Sequence, residues 1–433
     1  MTLRESTLTA SGKPRLAIFS RHSLIDGRGA GYVLPPGDER GHPFLGPWPH
    51  NVGDQFVASA LGRALDFDEF YTLTREATPE QFDIINDECH AVIAVMQNAL
   101  FPGFFGKHLP ISYLKQLKIP VILLSLGIQF RFGDELKLTS DDIESLKWLH
   151  DHAVSSQLRG HITEELLARY GITNTRVLGC PSLLWPGNRE LPIRVPTYDN
   201  VGFTITDMGA IPVLHKFQFE VMEKVFERSK AFSLIAQGGE YVLQEYLTLR
   251  DGVHPSLRED FIVEGNKETP KSEFSGSLLP GQLMKSYVKR FSIEEKKKSV
   301  EWYYRELSDS LRQNVISRGF FSSILPEYIR RARDISLIVG TRLHGNIIAL
   351  SQGTPAVFLA HDYRLKDMIE FLHLPHLAFD KNETDFDLDQ CNWERFEKLM
   401  PMIYDGFAAF FEENGLKHTL SQGSKHKIVS PEA

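Results

Sequence analysis

Residues 335–345 read ISLIVGTRLHG, and this stretch decides the fold class. Its first half is a run of branched apolar residues, which is typical of a strand buried inside a parallel sheet. Gly340 then indicates a tight turn, and the residues after it can begin a helix. Because ligands of parallel sheets bind at the carboxyl ends of strands, Arg342 and His344 stand where an active site would form.

Arg342 and His344 are two positions apart in this turn. In an extended chain they point the same way, and Leu343 points towards the core. A guanidinium offers a forked pair of donors to phosphate or carboxylate, and an imidazole exchanges a proton near neutral pH. With the amides of a helix N-terminus beside them, they predict an anion site. The alternative is a surface arginine beside a packed core histidine.

Short apolar runs alternate with longer helical patterns along the whole chain, which predicts an α/β fold with parallel sheets. The predicted strands cover residues 15–20, 90–96, 120–126, 153–158, 175–178, 200–206, 232–236, 335–339 and 356–359. The predicted helices cover residues 55–64, 111–117, 141–150, 162–170, 216–229, 293–311, 325–333, 346–352 and 393–412. Pro401 lies inside the last helix and is expected to kink or break it.

A chain of 433 residues is too long for one ordinary core, so we expect two domains. Prolines interrupt the alternation between residues 181 and 196, which places the boundary near residue 190. The predicted domains are therefore residues 1–190 and 191–413, with a polar surface insert at 251–282 and a frayed tail at 414–433. Residues 21–53, with seven glycines and five prolines, form a long loop that is functional or disordered.

The bulk composition excludes several classes of protein. A net charge of −8 and a pI near 6.1 argue against a nucleic-acid partner. Three scattered cysteines, Cys89, Cys180 and Cys391, exclude a disulfide framework, and the histidines show no metal-ligand spacing. The first twenty residues are not typical of a secretory signal, and no apolar run is long enough to span a membrane. We expect a cytoplasmic protein, although work beside a membrane stays open.

The longer segment LIVGTRLHGNIIALSQGTPAVFLAHD, residues 337–362, resembles the polysaccharide pyruvyltransferase family. Three weaker segments are similar to the same family and lie in its order. They are the Asn-Val-Gly-Asp turn at 51–54, the run 122–129 ending in a glycine turn, and the strand–Arg–helix run at 156–160 with 178–183. The chain departs from the family at residues 95–98 and at the insert 251–282.

The resemblance implies two facing Rossmann-like domains, as in a two-domain glycosyltransferase, with the site in the interdomain cleft. It also implies transfer of the enolpyruvyl unit of phosphoenolpyruvate to a sugar of a polysaccharide or glycan precursor, which leaves a pyruvate ketal. The partners are then the donor and a sugar or glycan acceptor. Because the donor supplies the leaving group, neither a metal nor an organic cofactor is required.

The resemblance assigns His344 the catalytic role and gives several other residues candidate roles. Arg159, Arg342 and Gly345 are expected on the donor's phosphate and carboxylate. Asn51, Gly53 and Asp54 are expected on the acceptor side, with a plain helix N-cap as the alternative for Asp54. Further candidates are Gln237 and Gly238, where a simple turn is the alternative, and Asp362, which follows the strand 356–359 together with His361.

Two other functions stay open at this stage. A sugar-nucleotide glycosyltransferase of similar shape also uses a helix start and a Gly-x-Pro turn, but residues 346–352 lack the acidic side chain that would grip a ribose. A binding protein that retained only the fold is the second alternative, and the presence of Arg159, Arg342 and His344 together argues against it. The sequence predicts neither the acceptor sugar nor the oligomeric state.

Overall fold

The computed structural model describes residues 15–19, 32–34, 52–67, 70–73, 77–206, 212–237, 241–251, 292–322 and 325–420. Its strands are β1 Leu16–Phe19, β2 Tyr32–Leu34, β3 Phe70–Leu73, β4 Ala91–Val95, β5 Val121–Leu124, β6 Ser156–Leu158, β7 Thr175–Val177, β8 Val201–Thr204, β9 Phe232–Ala236, β10 Phe320–Phe321, β11 Leu337–Gly340, β12 Ala356–Ala360 and β13 His376–Ala378.

The helices fill the connections between these strands. They are α1 Val52–Ala64, α2 Pro79–Glu88, α3 Phe104–His108, α4 Ile111–Leu114, α5 Ser140–Asp151, α6 His161–Ala168, α7 Pro212–Arg228, α8 Tyr241–Asp251, α9 Ile293–Tyr303, α10 Asp309–Arg318, α11 Leu325–Asp334, α12 Leu343–Leu350, α13 Tyr363–Phe371 and α14 Glu394–Glu413. None of the helices in the described ranges is both long and apolar enough to cross a lipid bilayer.

The strands form two mainly parallel sheets, which confirms the predicted α/β class. The first has the order β2-β3-β1-β4-β5, and only β2 runs antiparallel to its neighbour. A parallel bridge between Leu126 and Leu158 then joins the end of β5 to the small β6-β7 pair. The second sheet has the order β10-β9-β8-β11-β12-β13 and is parallel throughout. The domain boundary near residue 190 stays a prediction.

The two sheets are not independent bodies, because helices of one part pack on the other. Helix α1, from the N-terminal part, packs against α12 and against a short 3-10 helix at Pro181–Leu184. One continuous hydrophobic core joins Phe56 of α1 to Ile347 of α12. The amide of Val52 also donates to the carbonyl of Gln237 across this contact.

Two expectations about helices and the tail were wrong in detail, and of the kink or break expected at Pro401 the break is not seen. Residues 293–311 form two helices, because Ser308 caps a new helix by accepting from the amide of Leu311. Pro401 does not break α14, which buries Met400 and Phe407 on either side of it. Leu416 and Leu420 are buried, and Thr419 donates to the carbonyl of Ala64. Burial of these two leucines therefore holds residues 414–420 against α1, where a frayed tail was expected, and the rest of that expected tail, residues 421–433, lies outside the described residues.

Asp367 of α13 fastens the C-terminal part to the N-terminus of α6. Its carboxylate accepts from the Ile162 amide at 2.7 Å and from the Thr163 hydroxyl at 2.5 Å. Gly160 leaves the space for it, since a Cβ there would lie 2.2 Å from an Asp367 oxygen. Burial raises the pKa of Asp367 to about 6, although these hydrogen bonds and the charge of Arg159 act in the opposite direction.

A raised carboxyl pKa makes a specific prediction about stability. The folded state holds the Asp367 proton up to about pH 6, whereas the unfolded chain releases it near pH 4. The contribution of this group to the free energy of unfolding is therefore greatest below pH 4 and is lost as the pH rises through 6. The free energy of unfolding of the wild type minus that of Asp367→Asn should therefore fall by up to about 3 kcal/mol from pH 4 to pH 7.

Denaturant titrations at several pH values measure this difference. Asp83, exposed on α2, supplies the matched control, and Asp83→Asn should track the wild type. A wild-type-minus-Asp367→Asn difference that is flat between pH 4 and pH 7 would contradict the prediction.

Candidate functional site

The turn after β11 is shaped by Gly340. This residue has φ +154, and a Cβ on it would lie 2.0 Å from the carbonyl oxygen of Thr204. Only glycine therefore lets β11 pass so close to β8 before the chain turns. Asn346 of α12 secures the arrangement by accepting from the Thr204 hydroxyl at 2.9 Å and donating to the Gly340 carbonyl at 3.1 Å. The start of α12 is thus fixed to the carboxyl edge of the second sheet.

Arg342 and His344 lie at the beginning of α12, although not in the extended geometry expected. The helix begins at Leu343, so Arg342 is the N-cap and His344 is already helical. The alternation argument therefore does not apply, and Leu343 and His344 are both buried. Arg342 is partly buried and donates from Nε to the Ile205 carbonyl at 3.0 Å.

Arg159 is a fully buried guanidinium, only 1% exposed. Its Nε donates to the Ser125 hydroxyl at 3.1 Å, and Nη1 donates to the Gln97 carbonyl and to Asn98 Oδ1, both at 3.0 Å. The segment 95–98, where the chain departs from the expected pattern, thus supplies acceptors for this arginine. Gly127 provides the room, because a Cβ there would lie 2.7 Å from Arg159 Cδ.

The remaining guanidinium nitrogen of Arg159 reaches the second sheet. Nη2 lies 3.0 Å from His344 Nε2 and 3.5 Å from Cys180 Sγ. Arg159 and His344 are 185 residues apart in the chain, so tertiary packing alone brings them together. The expectation that Arg159 presents its guanidinium to the donor does not fit this arrangement. Each of its nitrogens is already hydrogen-bonded within the protein.

Cys180 completes the cluster, and the sequence reasoning missed it. Its sulfur is fully buried and lies 3.4 Å from His344 Nε2. Burial by itself would raise the pKa of the thiol. The nearby Arg159 and His344 outweigh that effect and lower the pKa of Cys180 to about 5. The signal that was available is the position of Cys180 in the segment 178–183, shortly after a predicted strand. Nothing in the local pattern shows which residues its side chain contacts.

Ser125 was also missed, and it holds the cluster in place. It has φ 58, a left-handed conformation that a serine adopts at a cost of about 1–3 kcal/mol. Its amide donates to Gln157 Oε1 at 2.6 Å, and Gln157 Nε2 donates in turn to the Gly179 carbonyl at 2.7 Å. Gln157 therefore ties the strained turn to the residue before Cys180.

The other predicted residues occupy varied positions. Gly345 packs closely, since a Cβ there would lie 2.8 Å from Gln237 Oε1, so this contact accounts for the glycine. Asp362 caps α13 by accepting from Leu365 and lies 3.4 Å from Arg364. Gly53 is buried in the first turn of α1.

Asp54 lies inside α1, not at its N-cap, since that helix begins at Val52. Asn51, Gly238 and nearly all of the segments 21–53 and 251–282 lie outside the described residues.

His361 lies beside Asp362 and is fully buried at the end of β12. Its pKa is lowered, chiefly by burial, while the charge of Asp362 acts in the opposite direction. Its Nε2 is 3.6 Å from an Asp362 oxygen. Burial, with the charges of Arg364 and Arg342, thus disfavours the imidazolium form of His361 at this edge of the sheet.

The fold and this cluster define an α/β protein in which the buried side chains of Arg159, Cys180 and His344 join two mainly parallel sheets. The model of the family described as polysaccharide pyruvyl transferase matches residues 282–363. The resemblance inferred from the sequence is thereby confirmed for this part of the chain, and the match supports a transferase enzyme. The matched part contains Arg342 and His344 but neither Arg159 nor Cys180. No curated protein matches the chain.

Several solved structures are similar over most of their length, at low identity. An S. aureus MnaA–UDP structure is 10% identical with a TM-score of 0.39, covering 93% of this chain and 91% of the other. A UDP-GlcNAc 2-epimerase from Neisseria meningitidis bound to UDP-GlcNAc is 11% identical with a TM-score of 0.40, covering 95% and 97%. A UDP-N-acetylglucosamine 2-epimerase from Rickettsia bellii is 9% identical with a TM-score of 0.38, covering 92% and 98%.

The close approach at Gly340 generates a prediction about folding. Gly340→Ala should lower the unfolding free energy by about 2–3 kcal/mol or more, because a backbone carbonyl cannot yield to the new methyl group. Gly133→Ala is the matched control: that glycine has φ +90 but open space around it, so only the backbone cost applies. Equal losses of thermal stability in the two variants would contradict the role given to the Gly340–Thr204 contact.

Proposed function

We propose that this protein transfers the enolpyruvyl unit of phosphoenolpyruvate to a sugar hydroxyl in a glycan pathway and closes it to a pyruvate ketal. The observation that carries the proposal is the contact between His344, inside the family match, and Arg159 from the other sheet. A buried imidazole held by a guanidinium suits a group that must move a proton at a fixed position. The cytoplasmic setting expected from the sequence is part of this proposal.

His344 is proposed as the acid/base. Its Nε2 is engaged by Arg159 and Cys180, which leaves Nδ1 as the ring nitrogen for a substrate. A general acid must be held in a single orientation, and the bond from Nε2–H to the sulfur of Cys180 holds the ring. The position of His344 in the first turn of α12 also puts it beside the positive end of the helix, which attracts an anionic donor.

Arg342 is proposed as the residue that holds the donor's phosphate or carboxylate. It is the N-cap of α12, and its bond from Nε to the Ile205 carbonyl fixes the guanidinium at the carboxyl edge of the second sheet. That edge is the usual location of ligands in parallel α/β sheets. Arg159 is proposed to act through His344, as a positioning residue, because each of its nitrogens already has a partner.

The proposed reaction balances as follows. The imidazolium of His344 protonates the methylene carbon of the enolpyruvyl group, and a sugar hydroxyl attacks the adjacent carbon, losing its proton to the neutral imidazole. The bond from that carbon to the phosphate oxygen then breaks, and inorganic phosphate leaves. A second hydroxyl of the same sugar attacks the same carbon and gives its proton to the phosphate. One phosphoenolpyruvate and one diol thus yield one ketal and one phosphate.

Replacing His344 tests the acid/base assignment. His344→Gln should bind phosphoenolpyruvate near normally and lose turnover by about 10²–10⁴-fold, because glutamine can hydrogen-bond but cannot donate the proton. Phosphate release with a panel of sugar acceptors, together with donor affinity from thermal shift, measures both quantities. Exposed His152 provides the control variant, His152→Gln.

Two outcomes would count against the proposed function. Full turnover in His344→Gln would exclude the acid/base role. A wild-type thermal shift with sugar nucleotides and none with phosphoenolpyruvate would favour the glycosyltransferase alternative.

Replacing Arg342 tests donor binding. Arg342→Ala should weaken phosphoenolpyruvate binding by about 1.5–3 kcal/mol, the usual value of a hydrogen bond to a charged group. Arg342→Lys should recover little of that loss, since an ammonium cannot reproduce the fork. The control is Arg330→Lys at an exposed position on α11, which should bind as the wild type does. Undiminished binding by Arg342→Ala would refute the assignment.

A further inference from the structure

Cys180 lies against both residues that define the site and is used by no step of the proposed reaction. Its sulfur is 3.4 Å from His344 Nε2 and 3.5 Å from Arg159 Nη2, and the Ser125 hydroxyl donates to it at 3.8 Å. It is 0% exposed, so a substrate cannot reach it unless the side chains around it move. Any influence of this sulfur on the chemistry must therefore act through its neighbours.

The guanidinium of Arg159 is buried among its hydrogen-bond partners. Moving a cation out of water is costly unless an anion or several acceptors compensate for the lost hydration. Within the part of the chain that the structure describes, no carboxylate lies within ion-pair distance of Arg159. The groups that contact its guanidinium are the Ser125 hydroxyl, the Asn98 side-chain oxygen, the Gln97 carbonyl, the His344 imidazole and the Cys180 sulfur. Of these, the sulfur is the group that can become an anion.

Titratable groups around the sulfur are few. Arg159 and His344 contact it. Asp367 packs against Gly160, and its charge acts on Arg159.

The pKa values of the other two thiols differ sharply from that of Cys180. Burial raises the pKa of Cys391 to about 11, and it raises the pKa of Cys89 well above its usual range. Burial would likewise raise the pKa of Cys180, but Arg159 and His344 lower it to about 5.

The geometry around His344 Nε2 allows two hydrogen-bonding states. A protonated Nε2 donates to the sulfur at 3.4 Å, whereas an unprotonated Nε2 accepts from Arg159 Nη2 at 3.0 Å. One nitrogen cannot do both at once. Because the proton is exchanged at Nδ1, Nε2 keeps its proton in both states of the acid/base, and the sulfur of Cys180 is its acceptor in both.

We propose that Cys180 is a thiolate positioning residue that, together with Arg159, holds His344 in place in both of its proton states. The proposal rests on the acid/base role proposed above for His344. Cys180 forms no bond to the substrate, and no electrons are transferred. Its negative charge favours the imidazolium that donates the proton, and Arg159, which donates to the same sulfur, keeps the thiolate in position.

Ultraviolet titration of the thiolate tests the charge state without any reference to activity. In the wild type, absorbance at 240 nm should rise by one thiolate per chain between pH 4 and pH 7, and this step should vanish in Cys180→Ser. Cys89→Ser and Cys391→Ser are the matched controls and should keep it. Absence of the step in the folded wild type would overturn the proposal, whatever the protein catalyses.

Kinetics of Cys180→Ser test the effect on His344. Serine keeps a small hydrogen-bonding group but stays neutral. Turnover should fall by about 10–10²-fold, less than for loss of the acid/base itself, with KM for phosphoenolpyruvate unchanged. The alkaline limb of the pH–kcat profile should also move to lower pH, because no anion then favours the imidazolium. A merely structural role would lower stability without moving this limb.

The two experiments separate the two possible failures. A thiolate step in the titration without any phosphoenolpyruvate-dependent turnover would reject the proposed function and leave the charge state of Cys180 intact. A wild-type pH profile in Cys180→Ser, in a protein that turns over the donor, would reject the positioning role alone. Melting temperatures of Cys180→Ser and Cys89→Ser, both buried thiol replacements, show whether loss of folding contributes to either result.

Discussion

The structure depends on one buried contact, in which the guanidinium of Arg159 from the first sheet meets the imidazole of His344 from the second. Both groups are out of water, so each requires complete hydrogen bonding. The turn at Ser125, the carbonyl of Gln97 and the sulfur of Cys180 are arranged to meet that requirement. The need to hydrogen-bond these buried polar groups therefore explains the left-handed conformation of Ser125, which would otherwise be unfavourable.

The same contact fixes how the two parts of the chain meet. Close approach at Gly340 sets the start of α12, and hence the position of His344. Around it, α1 packs on α12, and the carboxylate of Asp367 accepts from the N-terminus of α6. These contacts hold the site rigidly. A rigid site suits proton transfer more than loose binding of a large ligand. The nitrogens of Arg159 are all hydrogen-bonded within the protein, because this residue holds another side chain in place.

Much of this could be predicted from the sequence, because strand and helix patterns are local. The segment 335–345 gave β11, the turn and α12 within a few residues, and the family resemblance over it is confirmed. The partners of His344 could not be predicted, since Cys180 is 164 residues away and its contacts arise only from packing. Nothing in the composition indicates the left-handed conformation of Ser125. Two leucines, Leu416 and Leu420, were too few to predict that residues 414–420 pack on the protein.

A double-mutant cycle on the free energy of unfolding tests the contact between the two parts most directly. Arg159→Lys, His344→Gln and the double variant are compared with the wild type by denaturant titration. If the two side chains stabilise each other, their losses are not additive, and the coupling energy is about 0.5–3 kcal/mol. Losses that add to within about 0.3–0.5 kcal/mol would show independent side chains and would contradict the account.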